Sequence, residues 1–267
     1  MQSAIPYYIV AFNRIAGLKL ALDFVEKSTL PLKPIILDMG STWPSFLEYR
    51  DSLGIGVIKY PFGMCPHDLW TSGEIKRLGV GPFFLSDGDI DFRESPSNTF
   101  LELMRISEEY PWFPKIGLSL KISDMPDDIE GQRVKAWEED NWKISFREGV
   151  YLCGTDTTIA YYPRRESTFH YRPSLRLGGE YTVVHYPWYE RDETPTEESA
   201  VYRSIAKSHI STTLRMLFPT TNYLLKHSAL LFLYRLANPL LKFKFTGELM
   251  IKLLSIRGTI RSPCISH

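Results

Sequence analysis

Asp87, Gly88 and Asp89 follow Phe83-Phe84-Leu85-Ser86, the one fully apolar strand-like run in mid-chain. Such a run reads as a strand buried on both faces. A chain leaving it enters the crevice at the carboxyl edge of a sheet, where α/β proteins bind ligands. Two carboxylates in a partly dry cleft are unfavourable unless a cation joins them. Oxygen ligands of this kind suit a hard ion, Mg²⁺ or Mn²⁺, shared with substrate phosphates. Gly88 lets the backbone turn tightly between the two ligands. The plain alternative is a solvated acidic loop, and the buried strand in front of it weighs against that. Asp91 reads as a solvated neighbour or a backbone-capping residue.

The elements that must position this turn are legible in outline. Residues 6–12 read as a first strand, 16–27 as an amphipathic helix and 34–38 as a second strand. A helix over 43–53 follows, with Ser41 or Thr42 as its cap and Pro44 in its first turn. Residues 55–60 read as a third strand and 66–77 as a helix before the strand ending at Ser86. This alternation argues for a doubly wound, mostly parallel α/β sheet. The second half is mixed. Helices are expected over 97–110 (capped by Ser97 or Asn98) and 130–143, and strands over 114–120, 150–162 and 181–186. Thr194-Pro195-Thr196-Glu197 is a capping-box pattern opening a helix to about 208.

At 267 residues the chain suits one large domain, or one domain with an extension. Cys65, Cys153 and Cys264 are far apart and odd in number, so no disulfide framework or zinc spacing is present and a reducing compartment is expected. The N-terminus runs straight into the first strand with no signal peptide. The formal net charge is +0, unevenly spread. From Ile210 onward Arg215, Lys226, Arg235, Lys242, Lys244, Lys252, Arg257 and Arg261 face a single acid, Glu248. The expected division is 1–210 for the α/β domain and 211–267 for a basic, amphipathic helical extension. A tail of this kind suggests an anionic surface as partner, such as the inner face of a plasma membrane. No uninterrupted apolar run in it reaches the roughly 20 residues that cross a bilayer. No nucleic-acid motif is evident.

Taken together, four features resemble the nucleotide-sugar glycosyltransferases of the GT-A fold, in a family-2-like bacterial form. Ala11-Phe12-Asn13-Arg14 is similar to the opening strand and loop that receive the nucleotide. Asp38-Met39-Gly40-Ser41-Thr42 is similar to that family's Asp-x-x-Ser-Thr turn. Asp87-Gly88-Asp89 looks like its Asp-x-Asp metal motif. His185, in Val183-Val184-His185-Tyr186-Pro187-Trp188, stands where such enzymes place a late histidine that completes the metal site. The resemblance covers about residues 5–209.

The resemblance implies a metal-dependent glycosyltransferase. It would move a sugar from a nucleotide-sugar donor, a UDP-sugar before others, to a glycan or lipid-linked acceptor in surface polysaccharide synthesis. Asp87, Asp89 and His185 would hold Mn²⁺ or Mg²⁺, with Phe12, Asn13, Arg14 and Asp38 around the nucleotide. Each has a plainer reading beside it: a strand-end histidine for His185, a turn-forming aspartate for Asp38, a helix-start charge for Arg14. Lys76 and Arg77 read as a solvated helix face. An inverting transferase needs a base for the acceptor hydroxyl. Asp156 is the candidate, after Gly154 in Cys153-Gly154-Thr155-Asp156. Glu138, Glu139 and Asp140 read as a solvated helix face, and Trp137, Trp142 and Trp188 as sugar-stacking or core residues. The usual Glu-Asp pair of inverting relatives is missing. A nucleotidyltransferase and a non-catalytic carbohydrate-binding protein are the alternatives. The former would be expected to carry a Gly-rich basic loop, which residues 11–18 lack.

Overall fold

The computed structural model describes residues 3–155, 158–164, 173–190, 196–205 and 232–256. Its centre is a nine-stranded mixed sheet. The strands are β1 (Ile5–Ala11), β2 (Leu32–Asp38), β3 (Gly56–Lys59), β4 (Phe83–Asp87), β6 (Ile116–Leu118), β7 (Ser145–Arg147), β8 (Val150–Cys153), β9 (Ile159–Tyr162) and β10 (Ser174–Leu177), ordered β3-β2-β1-β4-β9-β6-β10-β8-β7. A separate two-stranded ladder pairs β5 (Ile90–Asp91) with β11 (Val184–His185). In the large sheet β9 is antiparallel to both neighbours, β4 and β6, and β8 is antiparallel to β10 and β7. The remaining strands share one direction, which makes the sheet mostly parallel. The expected α/β architecture is therefore present, and the carboxyl ends of β1, β2, β3 and β4 open on one edge.

Helices cover both faces. They are α1 (Ile15–Lys27), α2 (Pro44–Ser52), α3 (Asp68–Thr71), α4 (Glu74–Arg77), α5 (Thr99–Glu109) and α6 (Ile129–Glu138). Further helices are α7 over 197–205, α8 over 232–241 and α9 (Lys244–Ile256). Period-two alternation in β1 sorts its side chains between the faces. Tyr7, Ile9 and Ala11 join the larger core with α1, α5 and Tyr234, Ala237 and Leu241 of α8. Tyr8 and Val10 join the smaller core with Leu69, Ile75 and Met39. Burial of β4 is complete from Phe83 to Ser86, as its apolar run implied.

Several expectations are corrected. The helix over 66–77 is two short helices, because Gly73 adopts φ 78° and breaks the run. Residues 150–162 are two strands that never pair with each other: β8 lies beside β10, and β9 is inserted between β4 and β6. The strand over 181–186 is confined to Val184–His185, and 130–143 closes in a 3₁₀ turn, Glu139–Trp142. Neither Ser41 nor Thr42 caps α2. The α2 start has no side-chain cap; the Asn13 side-chain oxygen instead holds the loop in front of it, accepting the N–H of Thr42 and of Trp43, both at 2.9 Å. Asn98 makes no side-chain cap bond at α5.

The acidic turn is seated by backbone contact. A Cβ on Gly17 of α1 would overlap Gly88 O and lie 2.6 Å from Asp89 Cα. A Cβ on Gly88 would lie 2.6 Å from Val10 O of β1. Helix, turn and strand thus touch with no side chain between them. Gly17→Ala is expected to destabilise the protein by about 1–3 kcal/mol, as overpacking does, and to weaken Mn²⁺ binding by displacing Asp89. Thermal melting and a metal titration check this; unchanged melting and unchanged metal affinity would contradict the packing.

Candidate metal and nucleotide site

Three elements deliver the metal candidates. Asp87 ends β4, Asp89 follows Gly88, and His185 ends β11. The small ladder is the device that brings the third residue in. His185 pairs in register with Ile90, Val184 pairs with Asp91, and Tyr186 N donates to Asp89 O at 3.0 Å. One ligand atom from each of Asp87, Asp89 and His185 lies within 4.8 Å of the others. His185 Nε2 stands 3.5 Å from Asp89 Oδ1. Asp89 Oδ1 is buried and accepts no hydrogen bond. A buried carboxylate oxygen with no donor carries a large desolvation cost, and a cation between the three groups removes it. Two carboxylates and an imidazole suit Mn²⁺; Mg²⁺, which prefers oxygen ligands, is served less well by the nitrogen. The sequence-based trio is thus brought together, with Trp188 against the imidazole at a ring separation of 4.8 Å.

Asp91 is held apart from this trio. It is buried, accepts Arg93 N at 2.9 Å and makes a bidentate pair with the Arg93 guanidinium. The backbone-capping expectation holds, although the side chain is not solvated.

The residues assigned to the nucleotide divide into two kinds. Phe12 is half-buried at the end of β1, with its ring 6.0 Å from Phe62 and 6.1 Å from Tyr202. Phe62 is 61% exposed, so an open aromatic pair stands at the mouths of β1 and β3. Nothing in the local sequence marked Phe62; its approach depends on Gly40, whose φ of 82° packs the loop after β2 against the Phe62 backbone.

Asn13, Arg14 and Asp38 instead have internal partners. Asn13 is fully buried at φ 49°, a conformation asparagine tolerates, and holds the loop before α2 as described. Asp38 is buried, takes Ser41 N on one oxygen at 2.8 Å and pairs with Arg50 through the other. That is the turn-forming arrangement. Arg14 forms a two-pronged pair with Glu190 at 3.0 and 3.1 Å and lies 4.0 Å from the centre of the Tyr202 ring. Burial alone would lower its pKa, but the Glu190 hydrogen bond and the charges of Asp89 and Glu190 raise it, so Arg14 is a fixed cation beside the acidic turn. Burial, then the Asp89 charge, raises the Tyr202 hydroxyl. Burial, then its Glu190 hydrogen bond, pushes Tyr186 up to about 12.

Helix α7 completes the arrangement from far along the chain. Glu198 Oε2 accepts the N–H groups of Ile15 at 2.7 Å and Ala16 at 3.0 Å, capping α1 where its dipole is positive. The capping-box pattern at 194–197 located the helix, but nothing local showed that its glutamate serves α1.

Asp156 lies outside the described residues. Of the residues around it, Thr158 O accepts Asp87 N at 3.0 Å, while Thr155 Oγ1 lies 2.7 Å from Ser174 Oγ of β10. Glu138 corrects an expectation. It is not on a solvated face but buried at 2%, paired with Arg176 at 2.6 Å. Lys76 and Arg77 sit on α4, where Arg77 is exposed and reaches Glu74. On the second half of the sheet, Glu94, Lys121, Trp142, Tyr151, Glu180 and Thr182 line an open groove of about 490 Å³. Trp137 is 38% exposed, outside that lining.

No family model matches the chain, and no curated protein matches it. Solved structures do. S. aureus TarS matches at 11% identity and TM-score 0.46, over 92% of this chain and 45% of that one, so the chain spans under half of its length. GalNAc-T7, solved with UDP, GalNAc and Mn²⁺, matches at 10% identity and TM-score 0.48, over 94% of this chain and 54% of that one. Glucosyl-3-phosphoglycerate synthase from Mycobacterium tuberculosis matches at 14% identity and TM-score 0.39, over 61% of this chain and 57% of that one.

The Arg14–Glu190 geometry makes a distinct prediction. Arg14→Leu leaves Glu190 without its cation, with the Tyr186 hydroxyl still bonded to it, in a partly dry site and should cost about 3–5 kcal/mol. Arg14→Leu with Glu190→Leu should recover much of that loss. Denaturant melts of the two single variants and the double measure the coupling; a strictly additive double variant would contradict a structural pair.

Proposed function

We propose that the chain is a metal-dependent glycosyltransferase, moving a sugar from a nucleotide-sugar donor to a glycan or lipid-linked acceptor. The carrying observation is the convergence of Asp87, Asp89 and His185 at the carboxyl edge of the sheet, around a carboxylate oxygen that accepts no hydrogen bond. Motif order along the chain supports the same reading. Bound Mn²⁺ or Mg²⁺ would neutralise the diphosphate that leaves when the glycosidic bond breaks.

The chain's own residues supply the remaining tasks. Phe12 and Phe62 offer a stacking surface for a nucleobase, uracil before others, at the mouths of β1 and β3. Asp38 and Asn13 hold the two loops that flank that surface. Arg14 offsets the charge of the acidic turn and keeps its register with α1. Acceptor binding is assigned to the groove lined by Trp142, Tyr151 and Glu180, at the same edge of the sheet as the β6 and β10 carboxyl ends. Asp156, next to the pinned Thr155, is the proposed base that takes the acceptor hydroxyl's proton as the new bond forms.

A nucleoside diphosphate should bind more tightly with Mn²⁺ than without, and with Mn²⁺ more tightly than with Mg²⁺. Asp89→Asn should abolish the Mn²⁺ dependence while preserving the fold. Asp156→Asn should lower turnover by roughly 10²–10⁴-fold with little change in donor binding, the pattern of a group acting in the transition state. Calorimetry with UDP, GDP and dTDP, followed by donor-hydrolysis assays with the matching sugars, reads all three. Mn²⁺-independent nucleotide binding in the intact chain would contradict the site, and full turnover in Asp156→Asn would remove the base.

A further inference from the structure

Helix α8 is apolar on two opposite sides. Tyr234, Ala237 and Leu241 are buried in the main core, and the Trp112 indole donates to Leu241 O at 2.9 Å. Spacings of three and four place these residues on one face. Phe232, Leu236 and Leu240, spaced by four, form a second face that stays 60%, 60% and 44% exposed, and Phe243 just beyond it is 68% exposed. Helix α9 repeats the arrangement. A Cβ on its Gly247 would lie 2.6 Å from Trp112 Nε1, so the helix is seated directly on that ring. Met250 and Ile251 pack on the core, while Leu249 and Leu253 are 52% and 49% exposed.

A surface helix normally turns one apolar face to the core and a polar face outward, and a contiguous exposed apolar stripe marks an interaction surface. Charge identifies the cover. Arg235, Lys242 and Lys244 are exposed on or next to the same two helices, with the Lys242 ammonium 5.8 Å from the centre of the Phe146 ring, and Glu248 is the only acid between residues 232 and 256. A second copy of the chain, docked face to face, would oppose these cations to themselves. An anionic lipid surface complements them. Among the described residues no helix is long and apolar enough to cross a membrane, so the fitting geometry is a helix lying in the interface plane.

We propose that the outer face of α8, continued by α9, docks flat on an anionic bilayer. Phe232, Leu236, Leu240 and Phe243 enter the acyl boundary, and Arg235, Lys242 and Lys244 sit among the anionic headgroups. The inference stands apart from the catalytic reading, because vesicle binding is measured without substrate or turnover. The full chain should pellet with vesicles of equal phosphatidylglycerol and phosphatidylcholine. It should not pellet with phosphatidylcholine alone, and high salt should release it. Each cation near an anionic leaflet favours binding about fivefold, so Arg235→Glu/Lys242→Glu/Lys244→Glu should weaken partitioning by at least about a hundredfold. Leu236→Glu/Phe243→Glu should also abolish it, with circular dichroism melting showing an intact fold. The charge variant alters only exposed side chains and keeps the test decisive if the apolar variant fails to fold. Three results would overturn the proposal. They are an intact chain that stays in the supernatant, a charge variant that pellets as the intact chain does, and a lipid-free dimer that Leu236→Glu/Phe243→Glu turns into monomer.

Discussion

Close backbone packing around Gly88 is the constraint on which the site depends. The turn carrying both carboxylates is gripped between β1 and the first turns of α1, with glycine on both sides of the helix contact. The grip sets where Asp87 and Asp89 point, and Asp89 O then accepts Tyr186 N as the β5–β11 ladder forms. Because that ladder carries His185, the third candidate ligand is placed by the same contact. Charge follows from geometry. The acidic turn stands beside Arg14, which Glu190 and Tyr202 hold in place, so a fixed cation offsets part of its field.

Residues 184–190 and 196–205 act as a brace across this arrangement. His185, Glu190, Glu198 and Tyr202 each contact something in residues 12–16 or the acidic turn. Glu198 caps α1 and Glu190 holds Arg14, so two carboxylates from the end of the chain's α/β part stabilise its beginning. Ion pairs this buried contribute little net stability but are costly to break singly. They tie the loop after β1 to these later residues, beside the half-buried Phe12 and the exposed Phe62.

Much of this was legible in the sequence, for identifiable reasons. The first four strands were readable because their apolar runs are continuous and their turn residues strong, and Phe83–Ser86 is buried as its composition implied. Asp87 and Asp89 stood out as paired carboxylates after a buried strand and His185 through the family resemblance, and the structure brings the three together. The misses share a cause: long-range partners leave no local mark. Asn13 holds a loop about thirty residues later, Glu198 caps a helix that starts about 180 residues earlier, and Glu138 is buried by Arg176 on a distant strand. The strands β8 and β9 ran together in the reading because both are apolar and their separation in the sheet is decided by tertiary pairing. Phe62 was passed over because only its neighbours make it more than a loop residue.

The central claim is that a divalent cation sits between Asp87, Asp89 and His185 and meets a nucleoside diphosphate there. Anomalous diffraction from a crystal grown with Mn²⁺ and UDP tests it most directly. A single Mn²⁺ peak in contact with carboxylate oxygens of Asp87 and Asp89 and an imidazole nitrogen of His185, joined to the diphosphate, is the result predicted. Ordered UDP with no metal at those three side chains, or with the metal held elsewhere, would contradict it.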